Sequence, residues 1–182
     1  MSFKKILFLL LTFSLGIFFS CSQEKEKNIP SSSDVPDQII EKTEVAFTVD
    51  GIRSTLIKAN YVVKYEKRDL TLVKGVHTDF FDKEGKHTSV MDADSGIIRE
   101  RRQELEALGN VVVISDKGVK LETESLKWDP QKQKIVTDDF VKLTKETDII
   151  YGYGLEADQK LENFKIKKRV KGRIEKVPEN GL

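Results

Sequence analysis

Cys21 is the only thiol in this chain of 182 residues. No intrachain disulfide can form and no thiolate metal cluster can be built, so the fold must be held by its own core. Histidine is almost as scarce: His77 and His87 are the only two, and they flank a Glu84-Gly85 turn. Neither stands near a nucleophile motif, and the sequence has no glycine-rich phosphate loop and no Cys or His metal spacing. Asp92, Asp94, Asp138 and Asp139 are the remaining candidates for paired carboxylates. Their expected place at turns, where Asp bonds its own backbone, argues against hydrolysis. The chain therefore reads as a protein that is not an enzyme and uses no cofactor or metal. It also lacks a dominant charge: Lys plus Arg number 31 against 30 Asp plus Glu, a formal +1. No global field draws nucleic acid, and partners must be recognised locally.

Long hydrophobic runs are limited to one. Lys4 and Lys5 precede an apolar stretch from Ile6 to Phe19, followed by Ser20 and Cys21, and the chain turns charged from Glu24. This is the layout of a secretory signal over residues 1–20. A run of about 14 residues falls short of the ~20 a spanning helix needs, which favours cleavage. A small residue directly before the cysteine resembles a bacterial lipobox, with Cys21 as the lipid-anchor residue; Phe18 departs from the leucine usual there. The alternative is an uncleaved anchor helix over residues 6–22. Either way the domain lies outside the cytoplasm. Each buried acyl methylene contributes ~0.8 kcal/mol, so several chains on Cys21 would hold the protein firmly to a membrane.

Residues 21–43 carry Pro30, Ser31, Ser32, Ser33 and Pro36 and no sustained apolar period, which predicts a flexible tether with an average span of ~25 Å. From there to residue 177 the pattern changes to short β-branched and aromatic runs, and residues 178–182 form a tail. Turns are expected at Asp50-Gly51, Glu84-Gly85, Ser95-Gly96, Lys117-Gly118 and Asp129-Pro130. Val119, Leu121 and Thr123 alternate with Lys120, Glu122 and Glu124, and Val141 and Leu143 with Lys142 and Thr144. Such alternation predicts an antiparallel sheet with one apolar and one wet face. Arg99 to Leu108 has helical propensity but too few apolar positions for a stripe, so an extended, exposed segment feeding a strand at Val111 to Ile114 is expected. A degenerate repeat links Gly75-Val76 to Asp82 and Gly85, and Gly109-Asn110-Val111 to Asp116 and Gly118, with a third unit near Phe140. Each unit is about one hairpin, which suggests a sheet that grows ladder upon ladder and ends in open edges.

Gly109-Asn110-Val111, Leu126-x-Trp128-Asp129, Ile135-x-Thr137-Asp138-Asp139-x-Val141 and Gly152-x-Gly154-Leu155-x-x-Asp158 together resemble the lipopolysaccharide transport subunit LptC and its OstA-like relatives, from about Ile52 to Lys176. The resemblance implies an all-β fold, a single folded antiparallel sheet or β-jellyroll open on one side, whose apolar interior takes lipopolysaccharide acyl chains. It also implies partners: the inner-membrane permease subunits LptF and LptG, their ATPase LptB, and the periplasmic bridge protein LptA. The location implied is the periplasmic face of the inner membrane of a Gram-negative bacterium. Family members commonly use a transmembrane anchor helix, so a lipoprotein form departs from that pattern.

The residues fit a lipid conduit on their own chemistry, since acyl chains ask only for a continuous apolar lining. Candidates for it are Val112, Ile114, Val119, Leu121, Leu126, Trp128, Ile135, Val141, Leu143, Tyr151 and Tyr153. The same pattern is equally that of a sealed core. Trp128 and the two tyrosines suit a groove rim, where an amphipathic ring has one wet side. Gly152 and Gly154 lie two apart on a strand, which fits a close approach of a partner's strand or an ordinary bulge. Phe164, Ile166 and Val170 sit in a lysine-rich final strand. Its edge is open to strand addition by a bridge protein, to protection by its own charge, or to steering of lipid phosphates. A protein-binding scaffold without lipid cargo is the competing reading.

Overall fold

The computed structural model describes residues 35–173. They form nine strands in one antiparallel sheet, each bonded to the next in chain order. The strands are β1 (Gln38–Val49), β2 (Ile52–Tyr65), β3 (Leu70–Phe81), β4 (His87–Arg99), β5 (Glu104–Ser115), β6 (Val119–Asp129), β7 (Lys134–Lys145), β8 (Asp148–Ala157) and β9 (Phe164–Arg173). The expected fold class holds: a single open sheet whose first and last strands have free edges among the described residues. β-Branched residues populate the strands because their stiff side chains pack well on a pleated surface.

The strands are bent rather than straight. Register shifts interrupt the ladders near mid-strand, between Asp92 and Ser95, Leu108 and Val111, Thr123 and Lys127, Thr137 and Phe140, and Tyr151 and Tyr153. Left-handed residues mark the same line, among them Lys42, Gly75, Gly109, Asn110, Gly154 and Arg169. A bulge bends its strand and resets the alternation of faces. On β3 the buried positions Thr71 and Val73 give way to Val76 and Thr78 across Gly75. The sheet thus folds along a crease, and the inward face of both halves gathers into one cluster built around Val111, Leu121, Val141 and Leu155. The repeated Gly-x motif of the sequence is this crease, recurring strand by strand.

Polar side chains stitch the crease on the outer face. Asp94 leans over Gly109, where a Cβ would lie 2.7 Å from its Oδ2, and accepts a hydrogen bond of 2.7 Å from Asn110 Nδ2. Ser125 Oγ donates to Asp139 at 2.6 Å. Lys167 on β9 crosses Gly154 to reach Asp138 on β7 at 3.0 Å, and a Cβ on Gly154, at φ +72°, would sit 2.9 Å from its Cδ. Only a residue without a side chain lets β9 be pinned two strands away.

Several expectations need correction. The tether is expected to reach residue 43, yet β1 begins at Gln38, two residues after Pro36, and pairs from there with Lys64 of β2. Ser95-Gly96 is no turn but lies inside β4, where the inward-facing Gly96 is crowded by the carbonyl of Glu106. Arg99 to Leu108, expected as one extended, exposed segment, is instead the end of β4, a turn over residues 100–103 and the start of β5, where Ala107 is buried. Asp92, Asp94, Asp138 and Asp139 lie on strands at the crease rather than at hairpin turns. The signal and anchor segment, Cys21 included, and the tail after Arg173 lie outside the described residues.

Candidate functional site: an apolar trough crossing the sheet

Residues directly opposite in an antiparallel ladder share a face, so the register traces rows across the whole sheet. One row runs Val45, Ile57, Thr78, Met91, Val113, Leu121, Leu143 and Ile150 from β1 to β8. On the other side of the crease, Ile40, Val62, Val73, Gly96, Ala107 and Leu126 lead toward Leu155 and Ile166. A third row passes Ile98, Leu105, Trp128, Ile135, Ala157 and Phe164. These rows carry no charged side chain from β4 onward and line an inward face that extends from one free edge to the other.

Cover over this face is uneven. On β1 nothing is buried, and the inward Ile40, Val45 and Phe47 are 42%, 44% and 48% exposed. Toward the middle the face closes: Val111, Leu121, Val141, Leu155 and Ala157 are wholly inaccessible. Much of the closure comes from the loop between β8 and β9. Ser89 Oγ on β4 donates to the carbonyl of Gln159 at 2.9 Å, Lys117 pairs with Glu162 at 2.9 Å and Lys160 with Asp82 at 3.5 Å. Leu161, at φ +54°, is thereby pressed into the core and left 1% exposed. Asp158 holds the loop's shape by accepting from the backbone of Glu162 and from both nitrogens of Asn163. At the far edge the face opens again, with Phe164 39% exposed.

Among the residues singled out in the sequence, Val119, Leu121, Leu126, Trp128, Ile135, Val141 and Leu143 lie on this inward face. Val112, Ile114, Tyr151 and Tyr153 do not. Val112 stands in register with Glu122, Ile114 with Lys120, Tyr151 with Lys142, and Tyr153 with Phe140, all on the outer face. A lining on β5 is instead made by Val111 and Val113. Gly152 points inward, where a Cβ would strike Ile166 and the carbonyl of Lys168. Phe164 and Ile166 end the inner rows on β9, and Val170 beyond them is exposed. Leu161 and the inward residues of β1 went unnoticed in the sequence, because a lone leucine in a charged loop carries no period.

The two histidines are brought together on the outer face. His77 Nδ1 faces Asp92 at 2.7 Å and His87 Nδ1 faces Asp116 at 2.8 Å, so each Nδ1 carries the proton it donates. Both Nε2 atoms approach Asp79 Oδ1, at 3.7 and 3.6 Å. The network braces β3, β4 and the turn after β5. Among the described residues no group of His, Cys, Asp and Glu is arranged to hold a metal ion. The carboxylates at the crease are each engaged, Asp138 by Lys167 and Asp139 by Ser125; the hydrogen bond from Lys167, helped by its charge, holds the Asp138 carboxyl below the usual carboxylate range.

Compared with known proteins, residues 6–175 match the family described as "Lipopolysaccharide-assembly, LptC-related". No curated protein matches at a significant level. Among solved structures, LptH from Pseudomonas aeruginosa, described as the LptA-homologous periplasmic component of the conserved lipopolysaccharide transport device, is similar at 14% identity and a TM-score of 0.32, covering 81% of this chain and 100% of that one.

Proposed function

This chain belongs to the LptC-related family of lipopolysaccharide assembly, and from that premise we propose that its inward face is the path along which lipopolysaccharide acyl chains cross the periplasmic side of the export machine. The observation that carries the reading is the set of apolar inner rows that together span the sheet from β1 to β9, whose outer edges are unpaired among the described residues. Transfer of each methylene from water to such a face is favourable by ~0.8 kcal/mol, without any specific hydrogen bond. In this reading the protein is anchored to the inner membrane through Cys21, receives lipid from LptF and LptG driven by LptB, and passes it to LptA.

Geometry adds two conditions. Acyl chains can enter at β1, where Val45 and Phe47 are already open to solvent. They can traverse the middle only if the β8–β9 loop lifts and withdraws Leu161, because the interior beneath it has no room. The loop is held by the burial of Leu161, worth about 1.5–3 kcal/mol, by one neutral hydrogen bond and by two ion pairs, each worth ~1 kcal/mol, a sum that burial of several acyl methylenes offsets. At the far end, the free edge of β9 suits a strand of the bridge protein by main-chain pairing. Trimming the chain after Glu162 is expected to leave membrane attachment intact and abolish capture of that partner.

Trp128 provides the test, since it is the only tryptophan and packs against the inner cluster. Full-length protein in mild detergent is titrated with lipopolysaccharide bearing brominated acyl chains, which quench indole only on contact. Dose-dependent quenching of Trp128 is expected. Unquenched emission from folded protein would overturn the conduit and favour a scaffold that binds envelope proteins without lipid.

A further inference from the structure

Tyr151 and Tyr153, expected in the lining, stand instead on the outer face with Phe140. The Phe140 ring lies 5.5 Å from Tyr153 and 6.1 Å from Tyr151, and the three rings are 38–44% exposed. Large rings left this open in a cluster are uncommon on a surface with nothing to bind. Their neighbours are cations. Lys142 and Lys171 stand in register on either side of Tyr151, Lys168 stands beside Tyr153, and the Arg169 guanidinium sits 5.8 Å from the Tyr153 ring centre. Acidic groups facing this patch are already engaged: Glu122 by Lys120 and Lys142, and Asp138 by Lys167. Lys168 also acts on Asp138, but the cations here outnumber these two carboxylates, so Lys168, Arg169 and Lys171 leave the patch net positive.

We propose that this platform binds the phosphorylated saccharide headgroup of the glycolipid whose chains occupy the trough, a proposal that rests on the transport reading. Exposed rings offer flat faces to the apolar side of a pyranose, and ammonium and guanidinium groups pair with phosphate. The patch has few aliphatic side chains between its rings, and its cations are complementary to an anion, which separates it from an ordinary protein-docking surface. Because the platform lies on the face of β7–β9 and not in the hydrogen-bonding edge, a strand added to β9 leaves it open. The inner Phe164 and Ile166 are on the same terminal strand as Lys168, so chains and headgroup of one lipid can lie on the two sides of that strand.

The probe is a deacylated, phosphorylated lipopolysaccharide oligosaccharide, which is water-soluble and has no chains for the trough. Titrated onto the full-length chain and followed by calorimetry, it is expected to bind, with affinity reduced at least tenfold in Tyr151→Ala/Tyr153→Ala and in Lys168→Glu/Lys171→Glu. Enzymatic removal of its phosphates should weaken binding to the native chain by a similar factor. Absence of binding, equal binding by the variants, or preference of the platform for phosphatidylglycerol vesicles would overturn the proposal. Quenching of Trp128 by brominated lipid in the same variants keeps the two questions apart: if it persists while the oligosaccharide fails to bind, the trough reading stands and the platform falls.

Discussion

β1 and β2 together bury a single apolar side chain, Ala59, whereas β5 to β8 bury Val111, Val113, Leu121, Leu126, Val141, Leu143 and Leu155. The two regions share one sheet, one crease and the same inward alternation. Their difference lies in what stands opposite. The later strands have the β8–β9 loop and Leu161 pressed over them, and β1 has nothing over its inner face among the described residues. Alternation decides which way a side chain points; cover decides whether it acts as core or as an open surface. One molecule thus has a rigid half that holds the fold and an accessible end that can take a guest.

Side-chain truncation should break this comparison most sharply. Leu121→Ala is expected to destabilise by about 2–5 kcal/mol, the cost of a cavity in a packed interior, while Val45→Ala, already half in water, should change stability by less than ~1 kcal/mol. Chemical denaturation of both variants checks this. A similar loss at both positions would mean that β1 is covered in solution.

Smaller effects sharpen the account of the closed half. Gly154→Ala places a Cβ in a left-handed conformation against Lys167 and should cost at least the ~1–2 kcal/mol of that conformation, with hydrogen exchange accelerated in β9 first. Thr78 on the inner face has a buried hydroxyl without a partner among the described residues. Thr78→Val keeps the shape and removes the unpaired group, so the melting temperature should rise, by an amount equivalent to about 1 kcal/mol. The smallest effect concerns Asp138. Its carboxyl is held below the usual range chiefly by the hydrogen bond from Lys167, so its contribution is fully present above the ordinary carboxylate range, ~pH 4, and fades as pH falls through and below it. Asp138→Asn should flatten the acid limb of β9 exchange slightly, and salt should mimic it.

The fold was largely legible. From Val119 to Glu124 on β6 and from Val141 to Thr144 on β7 apolar and polar residues alternate, and the inward facing of Leu121 and Leu143, which pair in the ladder, follows from that pattern. Val111 to Ile114 was not legible in the same way: four consecutive β-branched residues have no phase, and their facing is set by the crease at Gly109 and Asn110 and by pairing with charged Glu122 and Lys120. Tyr151 and Tyr153 misled for the opposite reason. They alternate with glycines, and a glycine has no hydropathy to announce that it is the inward residue. Ile39 and Ile40 merged with the polar segment before them because β1 is exposed at every position but Thr43. The His77–Asp79–His87 group depends on strands pairing β3 to β4, a contact no local spacing reveals.

The central claim is that the inward face, open at β1 and gated in the middle, is a lipid path while the outer face is not. A photo-crosslinking residue placed in living cells at Phe47, at Val113 and at its chain neighbour Val112 tests it most directly. The account predicts lipopolysaccharide adducts at Phe47, weaker ones at Val113 and none at Val112. Adducts as strong from Val112 as from Val113, or protein adducts alone at all three, would contradict it.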